Sequence, residues 1–307
     1  MEKVIVVIGP TSVGKTKMGV ALAKKFNGEV ISGDSMQIYK QMDIGTAKVT
    51  EEEKEGIIHH CVDILNPDET YSVHDFQQTV RKKITEITQR GHVPIIVGGT
   101  GLYIKAALYD YQFDEMENDH HAINEKYKDY TNEQLHDHLK SIDEESAKTL
   151  HFNNRRRVLR AIEIYETTGK RKSEMLEEQE HICLYDAYFV GLTLPRDVLY
   201  ERINKRVDVM MENGLKEEMD CLYSQGLTRN HQSMKAIGYK EWFDYYDHQI
   251  DLNDVLELIK KHSRQYAKRQ YTWFKNQFDV HWYDVNLENF EQTIEQATDD
   301  IEKILKV

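Results

Sequence analysis

Val4-Ile5-Val6-Val7-Ile8 is an unbroken aliphatic run, the pattern of a strand covered on both faces in a parallel sheet rather than the alternation of a half-exposed one. It runs into Gly9 and then into helical spacing from Lys17 to Phe26. A second strand pattern covers Glu29 to Ser32, helical spacing covers Val73 to Arg90, and a third aliphatic run covers Val93 to Val97. This alternation predicts an α/β fold with a parallel sheet flanked by helices. The first three strands then end on one edge, where open parallel sheets bind ligands.

From 115 to 180 the pattern changes: glycine is scarce, charge is dense and the spacing is helical throughout. This stretch is expected to be a helical insertion domain, dividing a core domain into 1–114 and 181–307. Beyond it, Ile182 to Leu194 predicts a strand returning to the core sheet. Arg196 to Gly226 and Leu252 to Phe278 predict long helices, and Val280 to Val285 a last strand. No repeat, low-complexity tract or Pro/Ser-rich linker interrupts the chain.

Composition narrows the classes. A chain of 307 residues can bury a large core, and its net charge of −13 excludes a uniformly basic nucleic-acid coat. Cys61, Cys183 and Cys221 are too scattered for a disulfide framework or a C-x-x-C zinc site. No secretory leader pattern and no apolar stretch of membrane-spanning length is present, so no membrane partner and a cytoplasmic location are expected. No unpartnered apolar helix face stands out, and a monomer is expected.

The first strand feeds Gly9-Pro10-Thr11-Ser12-Val13-Gly14-Lys15-Thr16, a G-x-x-x-x-G-K-T loop opening a helix. The two glycines let backbone N–H groups turn toward an anion, Lys15 adds a mobile charge, and the helix N-terminus adds its dipole. The fold expected is thus P-loop NTPase-like, with a diphosphate or triphosphate in the loop. A P-loop kinase or hydrolase needs a second carboxylate at the end of an aliphatic strand to help hold magnesium. Here the third strand ends in Gly98-Gly99-Thr100-Gly101. The carboxylate instead follows the second strand, as Asp34, where it suits a proton acceptor for an incoming nucleophile at least as well as a metal ligand.

Two stretches reverse the acidic balance. Asn153-Asn154-Arg155-Arg156-Arg157-Val158-Leu159-Arg160 is one; the other, Leu258 to Phe278, has no Asp or Glu and interleaves Lys261, Arg264, Lys268 and Lys275 with Tyr266, Tyr271, Trp273 and Phe274. Either alone reads as a solvated helix whose aromatics face the core. Together, in so acidic a chain, they point to a polyanion with unstacked bases. The histidines, among them His59-His60, His120-His121 and His136 with His138, lack metal-site spacing, and Met210, Met211 and Met219 read as core.

Set side by side, the phosphate loop, Asp34-Ser35-Met36-Gln37-Ile38-Tyr39, Asp43-Ile44-Gly45-Thr46-Ala47-Lys48, Gly98-Gly99-Thr100-Gly101-Leu102-Tyr103, Arg157-Val158-Leu159-Arg160-Ala161, Ala236-Ile237-Gly238-Tyr239-Lys240 and Ala267-Lys268-Arg269-Gln270 resemble the bacterial tRNA dimethylallyltransferases, the tRNA isopentenyltransferases of the IPP transferase family. The stretches follow the family's order across nearly the whole chain. The resemblance implies transfer of a dimethylallyl group from dimethylallyl diphosphate to the exocyclic N6 amine of the adenine immediately 3′ of a tRNA anticodon.

It implies Asp34 as general base, Thr100 as a group that either bonds the diphosphate or orients the adenine, and Arg202 as a catalytic cation. Gly9, Pro10, Thr11, Ser12, Val13, Gly14, Lys15 and Thr16 would cradle the diphosphate, with Thr16 also holding Mg2+. The tRNA anticodon stem-loop would meet Asp34, Ser35, Met36 and Gln37, then Arg156, Arg157 and Arg160, then Lys235, Gly238, Tyr239 and Lys240, and finally Lys268, Arg269 and Gln270. The chain departs from the family at Phe152, where a proline often precedes the two asparagines. Two other readings share the loop: a free-nucleotide (adenylate) isopentenyltransferase, which needs neither insertion nor basic helix, and a P-loop small-molecule kinase or NTP-dependent nucleic-acid-binding module, which needs the second carboxylate.

Overall fold

The computed structural model describes residues 1–111, 120–177 and 181–305. These form two compact units, 1–109 with 183–307, and 110–182. The expected insertion boundaries at 115 and 180 lie outside the described residues, as do the side chains of His120 and His121.

In the first unit, six parallel strands stand in the order β3-β2-β4-β1-β5-β6: β1 (Lys3–Ile8), β2 (Gly28–Ser32), β3 (His59–His60), β4 (Val93–Gly98), β5 (Asp186–Thr193) and β6 (His281–Asp284). The central β1 pairs Ile8 with Gly98 on one side and with Gly191 on the other. Its uninterrupted aliphatic run now has its cause. Val4, Val6 and Ile8 enter the core on one face, while Ile5 and Val7 enter the core on the other.

Helices close both faces. Against the Ile5 face lie α1 (Lys15–Lys25), with Met18 and Leu22, and the C-terminal helix, with Ile294, Ala297 and Ile301. The short α2 (Glu51–Lys54) sits beside α1. The opposite face is covered by α3 (Val73–Gln89), through Phe76, Val80, Ile84 and Ile87, and by α4 (Gly101–Leu108), through Ile104. A box of reciprocal bonds between Ser72 and Asp75 starts α3, satisfying N–H groups that a helix start leaves open.

The second unit is helical: α5 (His120–Lys126), α6 (Asn132–Ile142), α7 (Glu144–Thr149), α8 (Arg155–Thr168) and α9 (Lys172–Glu177). Its own core joins Leu135 and Leu139 of α6 to Val158, Leu159 and Ile162 of α8.

The single helix expected from Arg196 to Gly226 is two, α10 (Arg196–Glu212) and α11 (Leu215–Ser224). Gly214 separates them with φ of +97°, a left-handed conformation that glycine adopts without a Cβ penalty. After α12 (Trp242–Tyr246) come α13 (Leu252–Gln277), close to its expected bounds, and α14 (Phe290–Leu305). The strand expected from Ile182 begins only at Asp186, and Ile182 and Leu184 are exposed.

Candidate active site

At the end of β1 the backbone must turn sharply, and Gly9 does so with φ of +148°, where a Cβ would lie 2.6 Å from the Leu192 carbonyl oxygen. Gly14, at φ +108°, is the N-cap of α1, so the loop delivers its N–H groups to the start of a helix. Lys15 opens α1 and folds back, its Nζ donating to the Pro10 carbonyl at 2.8 Å. Burial, then the neighbouring Arg206 charge, push the Lys15 ammonium down to about 7, with Asp34 opposing them. The Ser12 hydroxyl is buried with no hydrogen-bond partner. A buried unpaired hydroxyl is costly.

Asp34 follows β2 on the facing lip. Its Oδ1 accepts the Met36 N–H at 2.9 Å. Burial raises the carboxyl above the ordinary range, and that backbone bond and the Lys15 charge only partly offset it. A carboxylate raised toward neutrality is a better proton acceptor. Thr100, at the head of α4, accepts the Ser35 N–H at 3.1 Å through Oγ1 and donates to Ser35 Oγ at 3.4 Å. The two lips meet because Gly33 and Gly98 are glycines: a Cβ at Gly98 would lie 2.3 Å from the Gly33 backbone.

From α10, Arg202 donates Nε to the Ser12 carbonyl at 3.0 Å. One helical turn later Arg206 donates to Thr11 Oγ1 at 3.3 Å. Sequence reasoning named only Arg202. The spacing Arg202-x-x-x-Arg206, which places both cations on one helix face, was the available signal. Tyr266 was also passed over as a site residue: its hydroxyl donates to the Gly99 carbonyl at 3.3 Å. Burial, and then the Asp34 charge, push its phenol up to about 12.

Two cavities open around these groups. One, of about 570 Å³, is lined by Lys15, Thr16, Gln37 and Arg202, with Val30 and Val97 as apolar wall. The other, of about 360 Å³, is lined by Met36, Lys235, Lys240, Tyr266 and Arg269. Asp34 and Arg206 line both.

The residues expected to meet a polyanion divide. Lys235, Lys240, Lys268 and Arg269 are exposed, as are Arg156 and Arg157 on α8 of the helical unit, where Arg160 pairs with Glu163 at 2.8 Å. Gly238, Tyr239 and Gln270 are buried, and Gly238 still lines the smaller cavity. The Tyr239 phenol binds Glu218 at 2.6 Å. Gln270 accepts the Thr11 N–H through Oε1 and donates Nε2 to the Gly99 carbonyl, both at 3.0 Å, joining the phosphate loop to the loop after β4. Ser35, Met36 and Gln37 are half-buried, and the Gln37 amide reaches Ala47 and the Ser32 hydroxyl inside the fold.

The aromatics of α13 divide as well: Tyr271 is exposed and Tyr266 lines the smaller cavity, while the other two turn inward. Phe274 is in the core, Trp273 packs where a Cβ on Gly101 would fall 2.2 Å from its ring, and Arg264 braces Asn204 instead of facing solvent. A helix that seals a sheet must spend its large rings inward. Of the histidines, His60 binds the buried Glu29 at 2.6 Å, and no cluster of three His, Cys, Asp or Glu able to hold a metal occurs among the described residues.

Gln270→Met keeps the volume and removes both bonds. It is expected to lower kcat/KM about tenfold or more, while affinity for the polyanion, measured by filter binding, stays within about twofold because the side chain is buried.

The sequence profile described as IPP transferase matches residues 37–277. A tRNA dimethylallyltransferase of Bacillus cereus (strain AH187) is 54% identical over 287 residues, covering 92% of this chain and 90% of the relative. Among solved structures, a tRNA delta(2)-isopentenylpyrophosphate transferase from Staphylococcus epidermidis superposes with a TM-score of 0.74 at 47% identity, covering 99% of both chains. A eukaryotic dimethylallyltransferase acting on tRNA superposes at 0.86 with 33% identity, covering 99% of this chain and 79% of that one.

Proposed function

The chain belongs to the IPP transferase family, and from that premise we propose that it transfers the dimethylallyl group of dimethylallyl diphosphate to the N6 amine of the adenine 3′ of a tRNA anticodon. The observation that carries this reading is the pair of cavities with Asp34 common to both. A donor whose charged end lies against Lys15 and an adenine entering past Met36 and Tyr266 would meet at that carboxylate.

In the reaction the C1–O bond of the donor breaks, the N6–C1 bond forms, and the amine proton passes to Asp34. An adenine amine is a poor nucleophile because its lone pair is delocalised into the ring, so proton removal must accompany bond formation. Lys15, Arg202, Arg206 and the loop N–H groups meet the charge that develops on the leaving diphosphate. Thr100 fixes Ser35 and thereby the Asp34 turn. The valine-lined wall excludes water from a cation-like centre that water would quench.

Mg2+ fits this site as a companion of the substrate. The Thr16 hydroxyl is a hard oxygen donor lining the cavity, so Thr16 and diphosphate oxygens would hold it. When bound it supplies neutralisation of the leaving group.

The exposed cations at Arg156, Arg157, Lys235, Lys240, Lys268 and Arg269 serve the anticodon stem-loop, whose backbone contacts offset the few kcal/mol of everting a base. Replacing Arg157 with Ala is expected to weaken stem-loop binding and to lower the log–log salt slope by about 1, with pyrophosphate affinity unchanged. A loss that ignores salt assigns Arg157 to structure. We place the enzyme in the cytoplasm, as a monomer. No helix among the described residues is long and apolar enough to cross a membrane, and its three cysteines are free thiols.

Incubation with labelled dimethylallyl diphosphate and either an anticodon stem-loop or adenosine monophosphate tests the reading. Label in the stem-loop supports it, and label only in the mononucleotide overturns it. A kinase is disfavoured by β4 ending in Gly98-Gly99-Thr100, with no carboxylate where the magnesium of phosphoryl transfer needs one.

A further inference from the structure

The stretch Asp43 to Lys48 forms a tight turn, closed by Ala47 N–H to Ile44 and Lys48 N–H to Asp43. It supplies wall to both cavities, through Thr46 and Ala47. In such a turn successive N–H groups point the same way and make a concavity for an anion. Here a side chain of α11 fills it. Glu218 Oε2 accepts the N–H of Asp43 at 2.8 Å and of Ile44 at 2.7 Å, and Oε1 accepts the N–H of Gly45 at 3.0 Å and the Tyr239 hydroxyl at 2.6 Å.

Four donors converge on one carboxylate that lines neither cavity. The loop is also interlocked with the segment from Lys235 to Lys240. A Cβ on Gly45 would lie 2.5 Å from the Tyr239 ring, and one on Gly238, at φ +98°, would lie 3.3 Å from the Gly45 carbonyl oxygen. Nothing larger than glycine fits at Gly45.

We propose that Glu218 is a positioning residue for the transfer reaction: with Tyr239 it holds the wall shared by the two cavities and ties that wall to the exposed Lys235 and Lys240. The proposal rests on the reading that both substrates meet at Asp34. Charge-assisted bonds to backbone N–H groups are strong, and a wall fixed from behind keeps the donor and the amine in register. The inward half of the Lys235–Lys240 segment thus has work distinct from its exposed lysines.

Glu218→Gln is the test. The amide retains one acceptor oxygen and turns an NH2 donor toward N–H donors. Two readouts are taken, amide hydrogen exchange of residues 43–45 and the KM for each substrate. Exchange is expected to quicken about tenfold or more, and kcat/KM to fall about tenfold with both KM values raised. Tyr239→Phe keeps the ring under Gly45 and removes one donor; it is expected to give smaller changes of about threefold in the same direction, and it decides the matter if Glu218→Gln does not fold. Exchange within twofold of wild type overturns the proposal, and so does faster exchange with both KM values unchanged. Wild-type protein that fails to label the stem-loop overturns the reaction instead, while the exchange result stands apart from it.

Discussion

Replacing Asp34 with Ala is expected to lower kcat at least about a hundredfold, the lower end of what a positioned general base contributes, with pyrophosphate and stem-loop still bound. Asp34→Asn is the sharper form, because its amide oxygen can still accept the Met36 N–H that the carboxylate accepts at 2.9 Å yet cannot take a proton. It separates turn geometry from proton transfer. Removing a negative charge beside Lys15 also removes repulsion against the diphosphate, so pyrophosphate affinity holds or rises as kcat collapses. Single-turnover label transfer and pyrophosphate titration measure the two quantities. Turnover within tenfold of wild type would place the base elsewhere. Because burial raises the Asp34 carboxyl, wild-type kcat/KM should fall on the acid side at a pH above the usual carboxylate range.

How far the sequence foretold this site depends on distance along the chain. The loop from Gly9 to Thr16 is contiguous, so its function is written in one stretch; Asp34 and Thr100 follow aliphatic strands whose parallel pairing fixes where they emerge. Those were legible because β1 is central and both its faces are buried, leaving no polar residue to blur the run. Arg206 and Tyr266 reach the site from helices whose placement depends on packing, and the Arg202–Arg206 spacing was the one local sign of it. Tyr239 and Gln270 stand beside lysines and arginines yet are buried; burial is a property of the helix face and turn, not of the neighbour in sequence. Likewise α14 went unread although Ile294, Ala297, Ile301 and Leu305 mark one face at helical spacing. The break at Gly214 shows the converse: two helical patterns joined by a glycine scan as one when the glycine's φ is unknown.

Diphosphate affinity is expected to fall as pH rises through neutrality, and Lys15 is the cause. Its ammonium is lowered from 10.5 to about 7 in the free enzyme; a bound diphosphate favours the charged form and raises it again. Binding above pH 7 therefore takes up a proton, and affinity drops by about tenfold per pH unit until the bound-state value is passed. Lys15→Arg, which stays charged, should flatten this dependence. Lys15→Met should bind pyrophosphate about tenfold to a hundredfold more weakly below neutrality, with its deficit shrinking as pH rises. Stability of the free protein moves the other way. Between about 7 and 10.5 the unfolded chain holds a proton on Lys15 that the folded chain has lost, so this residue's contribution makes the ligand-free protein more stable as pH rises across that window. Calorimetric titration of pyrophosphate and melting of the ligand-free protein should thus slope in opposite directions over the same pH range. Parallel slopes would mean that the buried cation behind the phosphate loop is a group other than Lys15.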